Sequence, residues 1–378
     1  MTLPLEGVRV IEVGQALAGP LAGVLLADMG ADVIKIEKPD GGDDARLWGP
    51  PYGPDGETSL YFYSQNRNKR SVTLDLKQAA DIDKLNLLCD TADILIQNLR
   101  PGVVDDIGIG PEAMLKRHPR LIYCSIWAFG YQGPLKMKPG FDPLLQAYGG
   151  MMSVTGRPED PPTFCGASIN DKATGMFCTI GALAALRMRD RTGKGCLVDT
   201  SLFDSAVHWV EGGINNYLAN GTVPQRHGTG GAVIVPYQLF DTADRPVCLA
   251  PGNDRLWARC AEVLGHPEWA TDPRSWRSAR AEQGRASSPD RRRHARPDAR
   301  PLAGSFREGG RAVQPGERHR RTRRDAAARG GGPGASASRR RAEGGGFANL
   351  VRPQTAALGS VITEAGRAYG RGVGSVSK

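Results

Sequence analysis

Hydrophobic and polar positions follow two different spacings in the first forty residues. Residues 8–13 (VRVIEV) and 31–37 (ADVIKIE) are β-rich apolar runs. Between them, residues 21–30 (LAGVLLADMG) place apolar side chains at helical spacing and end on a glycine. A strand, a helix and a second strand in this order predict a βαβ unit, and therefore a parallel sheet.

The same alternation continues to about residue 200. It predicts strands at 71–76, 92–98 and 121–130, helices at 80–89 and 111–118, and a longer helix from Asp171 to about Arg191. A short strand and a helix follow in residues 196–209. We therefore predict one large α/β domain over residues 1–200, with a doubly wound, mostly parallel, Rossmann-like sheet.

The rest of the chain divides into three parts. Residues 201–274 are predicted as a linker and the start of a second, smaller α+β domain, with two short strands and an amphipathic helix in residues 235–265. Residues 275–346 contain 19 Arg but no Lys and no Ile, and are predicted to be disordered. Residues 347–378 form a tail to which we assign no element.

Two interpretations of residues 275–346 compete. One is a functional arginine-rich arm for nucleic acid. The other is a single-base frameshift in a GC-rich gene, which yields this mixture of Arg, Ala, Gly, Pro and Ser, and which we favour. The segment has only 7 acidic residues, so its positive excess is larger than the whole chain's net charge of +9, and the remaining sequence is mildly acidic.

Composition places the chain among soluble globular proteins. No apolar run approaches the roughly 18 residues that a membrane span needs, and the N-terminus lacks the features of a signal peptide. The seven cysteines include no CxxC pair and no Cys/His cluster. We therefore expect reduced thiols in a cytoplasmic protein, with no metal site.

The turn after the first strand, GQALAG, resembles a dinucleotide fingerprint, with Glu37 about 20 residues further on. Ala16 stands where the second glycine of that fingerprint is needed, so a plain βαβ turn is the favoured interpretation over an NAD site. The turn nevertheless lies at the carboxyl end of a strand, where α/β proteins bind ligands.

Basic and amide side chains cluster near the ends of the predicted strands. Each is more often a solvated surface group, but together they favour a phosphate-bearing ligand. The group comprises Lys35, Lys38, Asn68, Lys69, Arg70, Lys77, Asn98 and Arg100.

Asp171, in the stretch GASINDKATGMF, allows two interpretations. An Asp at a helix start is commonly a cap that accepts the free backbone N–H groups. It can also be a nucleophile, because a helix N-terminus is expected to lower the pKa of a carboxyl group and keep it ionised. The small residues Gly166, Ala167 and Ser168 would leave room beside it for a substrate carbonyl.

Six separated motifs together resemble the class III CoA-transferases, the family that includes formyl-CoA transferase, carnitine CoA-transferase and α-methylacyl-CoA racemase. The motifs run in order across about residues 3–274. They are LEGVRVIEVGQALAGPLAGVLLADMGADVIKIEKPDGGDDAR, NRNKRSVTLDLK, LIQNLRPGVVDDIGIG, PGFDPLLQAYGGMMSVTG, INDKATGMFCTIGALAALRMRDRTGKGCLVDTSLFDSA and APGNDRLWARCAEVLGHPEWATDPR.

The resemblance implies that Asp171 is a nucleophile that forms covalent aspartyl intermediates while CoA passes from an acyl-CoA to a free carboxylic acid. Coenzyme A is then a substrate, no cofactor is permanently bound, and neither nucleic acid nor membrane is an expected partner. By motif position, the CoA and thioester site would comprise Gln15, Leu17, Ala18, Lys38, Leu74, Lys77, Asn98 and Phe141.

Three departures from the family pattern limit what the resemblance implies. Phe141 replaces the acid/base histidine of the racemases, which disfavours racemase activity. Asp106 stands where the family commonly has a basic residue. The family's C-terminal αβ segment, which completes the large domain of an interlocked homodimer, has no counterpart in residues 275–378. If residues 275–378 are what is translated, we expect the C-terminal part of the fold to be disrupted, dimerisation to be in doubt, and the polypeptide as written to be poorly soluble or inactive. An inactive remnant of a CoA-transferase is therefore the alternative to an active enzyme.

Overall fold

The computed structural model describes residues 2–272, which form two compact units. The first unit comprises residues 2–153 and 163–224, and the second comprises residues 154–162 and 225–272. The segments predicted at 275–346 and 347–378, and the frameshift inferred there, lie outside the described residues.

A six-stranded sheet forms the centre of the first unit. Its strands are β1 (Arg9–Val13), β2 (Asp32–Glu37), β3 (Lys69–Thr73), β4 (Ile94–Gln97), β5 (Ile122–Trp127) and β6 (Leu197–Ser201). They lie in the order β3-β2-β1-β4-β5-β6, and every neighbouring pair is parallel. This order reverses direction between β1 and β4, as in a doubly wound fold, so the predicted α/β class is confirmed.

Ten helices of the first unit connect or flank these strands. They are α1 (Ala18–Asp28), α2 (Leu60–Asn66), α3 (Ala79–Cys89), α4 (Val103–Asp106), α5 (Pro111–Arg117), α6 (Asp142–Tyr148), α7 (Met151–Val154), α8 (Ile169–Thr192), α9 (Leu202–Trp209) and α10 (Glu211–Asn220). The last residue of α7 belongs to the second unit.

Alternate strand residues supply the two hydrophobic cores of the sheet, as the period of two requires. In β1, Val10 joins one cluster with α1 and α8, whereas Ile11 joins the other with α3 and α5. In β5, Ile122 and Tyr123 divide between the clusters in the same way. Both faces of the sheet are therefore covered, which explains why its strands read as nearly continuous apolar runs.

The structure adds helices that the sequence pattern did not predict, chiefly α2, α6 and α10. The helix predicted from Asp171 also begins two residues earlier, at Ile169, so that Asp171 lies inside its first turn. Both α2 and α6 contribute side chains to the site described below.

The second unit contains a two-stranded antiparallel sheet, β7 (Gln238–Phe240) and β8 (Val247–Leu249), followed by α11 (Asp254–Val263). Asn253 caps α11 by accepting the backbone N–H of Leu256. Two strands and a helix are what the sequence pattern predicts for this part of the chain.

All seven cysteines are free thiols. Within residues 2–272 no group of His, Cys, Asp and Glu side chains is placed to hold a metal ion. None of the helices described there has the length and hydropathy of a membrane span.

Candidate functional site

A cleft of about 720 Å³ opens at the carboxyl ends of β1 and β4, where the strand order reverses. This is the position at which doubly wound sheets bind their ligands. The turn after β1 and the loop after β4 form part of its wall, and the start of α8 forms another part. The cleft therefore brings the GQALAG turn and Asp171 to one place, although Asp171 follows Ala18 by 153 positions in the sequence.

The N-terminus of α8 is capped by Asp142 and not by Asp171. Asp142 Oδ1 accepts the backbone N–H groups of Asn170 at 2.7 Å and of Asp171 at 3.3 Å. Its Oδ2 accepts a hydrogen bond from Gln146 Nε2 at 2.6 Å. The interpretation of Asp171 as the cap was wrong, because a buried carboxylate from α6 already occupies the free amides of the helix.

The pKa of Asp171 is raised, not lowered, which corrects the expectation based on the helix N-terminus. Burial first, and the negative charge of Asp142 second, raise the pKa of the Asp171 carboxyl to about 7. The half-buried carboxyl group lines the cleft. The ionised form of Asp171 is therefore disfavoured, and its carboxylate is more basic than that of an ordinary aspartate.

Two aromatic residues of the cleft were not predicted from the sequence. Trp48 and Tyr61 line it, and their ring centroids lie 5.4 Å apart. Burial and the nearby charges of Asp171 and Asp142 raise the pKa of Tyr61 to about 12, so its hydroxyl stays protonated. An aromatic residue in the long connection between β2 and β3 has no sequence signal that would assign it to this site.

The turn after β1 has a fixed and unusual backbone. The side chain of Asn98 accepts the N–H of Gln15 and donates to its carbonyl oxygen, both at 2.8 Å. Ala16 has a φ of 64°, in the left-handed region that residues with a Cβ seldom adopt. The conformation of the turn at the cleft therefore depends on hydrogen bonds from neighbouring residues such as Asn98.

The structure brings most of the predicted site residues together. The cleft is lined by Asp171, Gln15, Leu17, Ala18, Asn98 and Phe141. Phe141 is the most exposed of these, with 74% of its surface accessible.

Three predicted residues lie elsewhere. Lys38 is exposed and pairs with Asp44 at 2.5 Å, Lys77 is exposed, and Leu74 is buried in the hydrophobic core. None of the three lines the cleft.

The group of basic side chains predicted for a phosphate does not converge on one point. Arg100 and Asn98 line the cleft. Arg70 instead pairs with Asp32, and Asn68 bonds Asp28. Lys35 and Lys69 are buried beneath the turn after β1, in ion pairs with Glu12.

Comparison with known proteins identifies the family. The family model described as CoA-transferase family III matches residues 5–291. An acetyl-CoA:oxalate CoA-transferase of Acetobacter aceti is 40% identical over 272 residues, which are 72% of this chain and 69% of that enzyme. A succinate–glutarate CoA-transferase of Agrobacterium fabrum is 41% identical over 275 residues, with the same coverage.

A solved structure shares the fold. The crystal structure of a CaiB/BaiF family protein from Brucella suis superimposes with a TM-score of 0.66 at 38% identity, and the match covers 76% of this chain and 77% of that one. The extent of the family match, the identity to named transferases and the structural similarity lead to one conclusion: the chain belongs to CoA-transferase family III.

Proposed function

We propose that this protein transfers CoA from an acyl-CoA to a free carboxylic acid through covalent intermediates on Asp171. The observation that carries the proposal is the Asp171 carboxyl itself. It faces a cleft at the point where the strand order of the sheet reverses. Asp142 caps the helix, so the oxygens of Asp171 are not used to bond the helix amides. A carboxylate with a raised pKa is also a better nucleophile than an ordinary one once it is ionised.

The reaction proceeds by paired acyl transfers. An Asp171 oxygen bonds to the thioester carbonyl carbon, the C–S bond breaks, and an acyl–aspartyl anhydride and CoA thiolate result. The thiolate then attacks the aspartyl carbonyl carbon, which releases the donor acid as a carboxylate and leaves an aspartyl–CoA thioester. The acceptor carboxylate attacks that thioester and expels the thiolate. The thiolate attacks the acceptor's acyl carbon, which gives the new acyl-CoA and restores Asp171.

The residues around Asp171 suit these steps. Tyr61 offers a hydroxyl that stays protonated at neutral pH and is available to donate to an oxyanion. Phe141 carries no proton to transfer, which favours acyl transfer over racemisation. The two relatives are named for oxalate, succinate and glutarate, so these acids, with acetyl-CoA and succinyl-CoA, are the first pairs to test.

The test is the exchange of an isotopically labelled free acid into acyl-CoA. Asp171→Ala is expected to lower the exchange rate by about 10³-fold or more, because the nucleophile is lost. Asp40→Asn, which changes an exposed carboxylate outside the cleft, is the matched control and should exchange at the wild-type rate. An Asp171→Ala enzyme that exchanges as fast as the control would overturn the assignment.

A further inference from the structure

Four charged side chains form a network beneath the turn that lines the cleft. Lys35 Nζ lies 3.0 Å from Glu12 Oε1 and 2.9 Å from Asp43 Oδ2, and Lys69 Nζ lies 2.7 Å from Glu12 Oε2. The exposed fraction of each of these side chains is 2% or less. Buried charges are costly unless they are paired, so two cations and two anions must be present together.

The charges in this network depend on one another. Burial alone would raise the pKa of Glu12, but Lys69 and Lys35 outweigh it and lower that pKa. Burial would likewise lower the pKa of Lys35, but Glu12 and Asp43 outweigh it and raise it. Neither lysine faces the cleft. The network therefore does not bind ligand directly, and its effect on the site is through the backbone.

The network bonds the backbone at three points, two in the turn and one in the first turn of α1. Lys35 Nζ donates to the carbonyl oxygen of Gly14 at 2.6 Å, and Lys69 Nζ donates to that of Pro20 at 2.8 Å. Between them, the N–H of Ala16 donates to Asp43 Oδ1 at 3.1 Å. Ala16 is the residue whose φ is 64°, so Asp43 bonds the turn at its most strained position.

We propose that Asp43, held by Lys35, is a positioning residue that keeps the turn at residues 14–18 in its CoA-binding conformation. Asp43 Oδ1 also accepts the N–H of Ala45 at 3.0 Å, so the same carboxylate fixes the turn to the start of the next loop. Without this carboxylate, Ala16 would relax out of the left-handed region and withdraw the turn from the cleft. The inference rests on the proposed function in one respect, namely that the turn contacts CoA.

The experiment measures the Kd of coenzyme A itself by titration calorimetry on the full chain, together with KM and kcat. Asp43→Ala is expected to weaken CoA binding about tenfold, since the hydrogen bond that holds Ala16 at its positive φ is lost. Asp43→Asn, which keeps an oxygen for the Ala16 N–H, should lie between wild type and Asp43→Ala. KM for the acyl-CoA should rise in the same order.

Adding Ala16→Gly to Asp43→Ala provides a test that a merely structural role would not pass. Glycine adopts a positive φ without a steric penalty, so the double variant should recover most of the lost affinity for CoA. Arg189→Met is the matched control. It breaks a second ion pair, in which the buried Arg189 guanidinium lies 2.8 Å from the partly exposed Asp93 carboxylate. This variant should lower Tm and leave the Kd of CoA unchanged.

Three outcomes would overturn the inference. They are a folded Asp43→Ala variant that binds CoA within about twofold of wild type, an Asn variant as weak as the Ala variant, and a double variant that recovers no affinity. CoA binding requires no chemical step at Asp171. A failure of the nucleophile assignment would therefore leave this test intact, and the measurement in an Asp171→Asn background keeps the two apart.

Discussion

Asp171 and Asp142 place two carboxyl groups at the N-terminal end of α8, but the two groups differ in burial and in hydrogen bonding. Asp142 is buried and accepts hydrogen bonds from two backbone amides of α8 and from Gln146. Asp171 lines the cleft, and its pKa of about 7 reflects burial and the charge of Asp142. A pair of carboxyl groups separated in this way is typical of sites where one group reacts and the other orients it.

The raised pKa of Asp171 predicts how activity depends on pH. In the proposed mechanism the attacking group is the carboxylate, so kcat/KM should rise about tenfold per pH unit below pH 7 and level off above it. The titratable groups beside Asp171 are Asp142 on α6 and Tyr61 on α2, and Tyr61 stays neutral across this range. Asp142→Asn removes the like charge and keeps an acceptor for the helix amides, so the rise should move to lower pH.

The pH–rate profiles of the wild type, Asp142→Asn and Asp40→Asn test whether ionisation of Asp171 sets the pH dependence of kcat/KM. Asp40→Asn removes a carboxylate of equal charge from an exposed position and should leave the profile in place. A profile that is flat from pH 5 to 9 in the wild type, or one that Asp142→Asn does not move, would show that Asp171 ionisation does not limit the reaction.

At the scale of elements, the site depends on close contact between α1 and α8. Gly175 on α8 faces the carbonyl oxygen of Ala18, the first residue of α1, and a Cβ added there would lie 2.8 Å from that oxygen. A contact this close leaves no room for a methyl group without moving one helix. Since α8 carries Asp171 and α1 begins at the turn that lines the cleft, the packing of these two helices sets the distance between Asp171 and that turn.

Gly175→Ala should therefore reduce both stability and exchange activity. We expect a loss of about 1–3 kcal/mol in the free energy of unfolding, as for other overpacked interiors. The matched control is Gly212→Ala on α10, where an added Cβ meets nothing within 4 Å and alanine is the better helix former. Denaturant titration and the exchange assay measure both effects. A Gly175→Ala enzyme as stable and as active as the control would contradict this account of the helix contact.

Elements with a regular pattern were predictable, and those without one were not. The predicted helix at 80–89 is observed as Ala79–Cys89, and the strand at 121–130 contains Ile122–Trp127. By contrast, α2 has the sequence LYFYSQN, an aromatic run without helical spacing, and α6 begins with Asp142 and a proline. These two helices supply Tyr61 and Asp142, so two of the missed site residues lie on missed elements.

At the scale of the whole molecule, the sequence alone predicts the sheet and the family, which the structure and the comparisons confirm. The assignment of Asp171 as the nucleophile stays a prediction, and the interactions between distant residues were not predicted. The cap of α8 comes from a residue 29 positions earlier in the chain. Lys35 and Lys69 are buried against Glu12, although lysines near strand ends are usually solvated. Such pairings follow from three-dimensional packing, and no local spacing encodes them. The interlocked homodimer stays a prediction.

Trapping the covalent intermediate tests directly whether Asp171 is the nucleophile. The full-length chain is mixed with acyl-CoA in the absence of an acceptor acid, quenched, digested and analysed by peptide mass spectrometry, with Asp171→Asn as the control. We expect a CoA adduct on the peptide that contains Asp171, its conversion to a hydroxamate by hydroxylamine, and no adduct in Asp171→Asn. Exchange of CoA between acids with no adduct on that peptide, or with an adduct on another residue, would contradict this assignment.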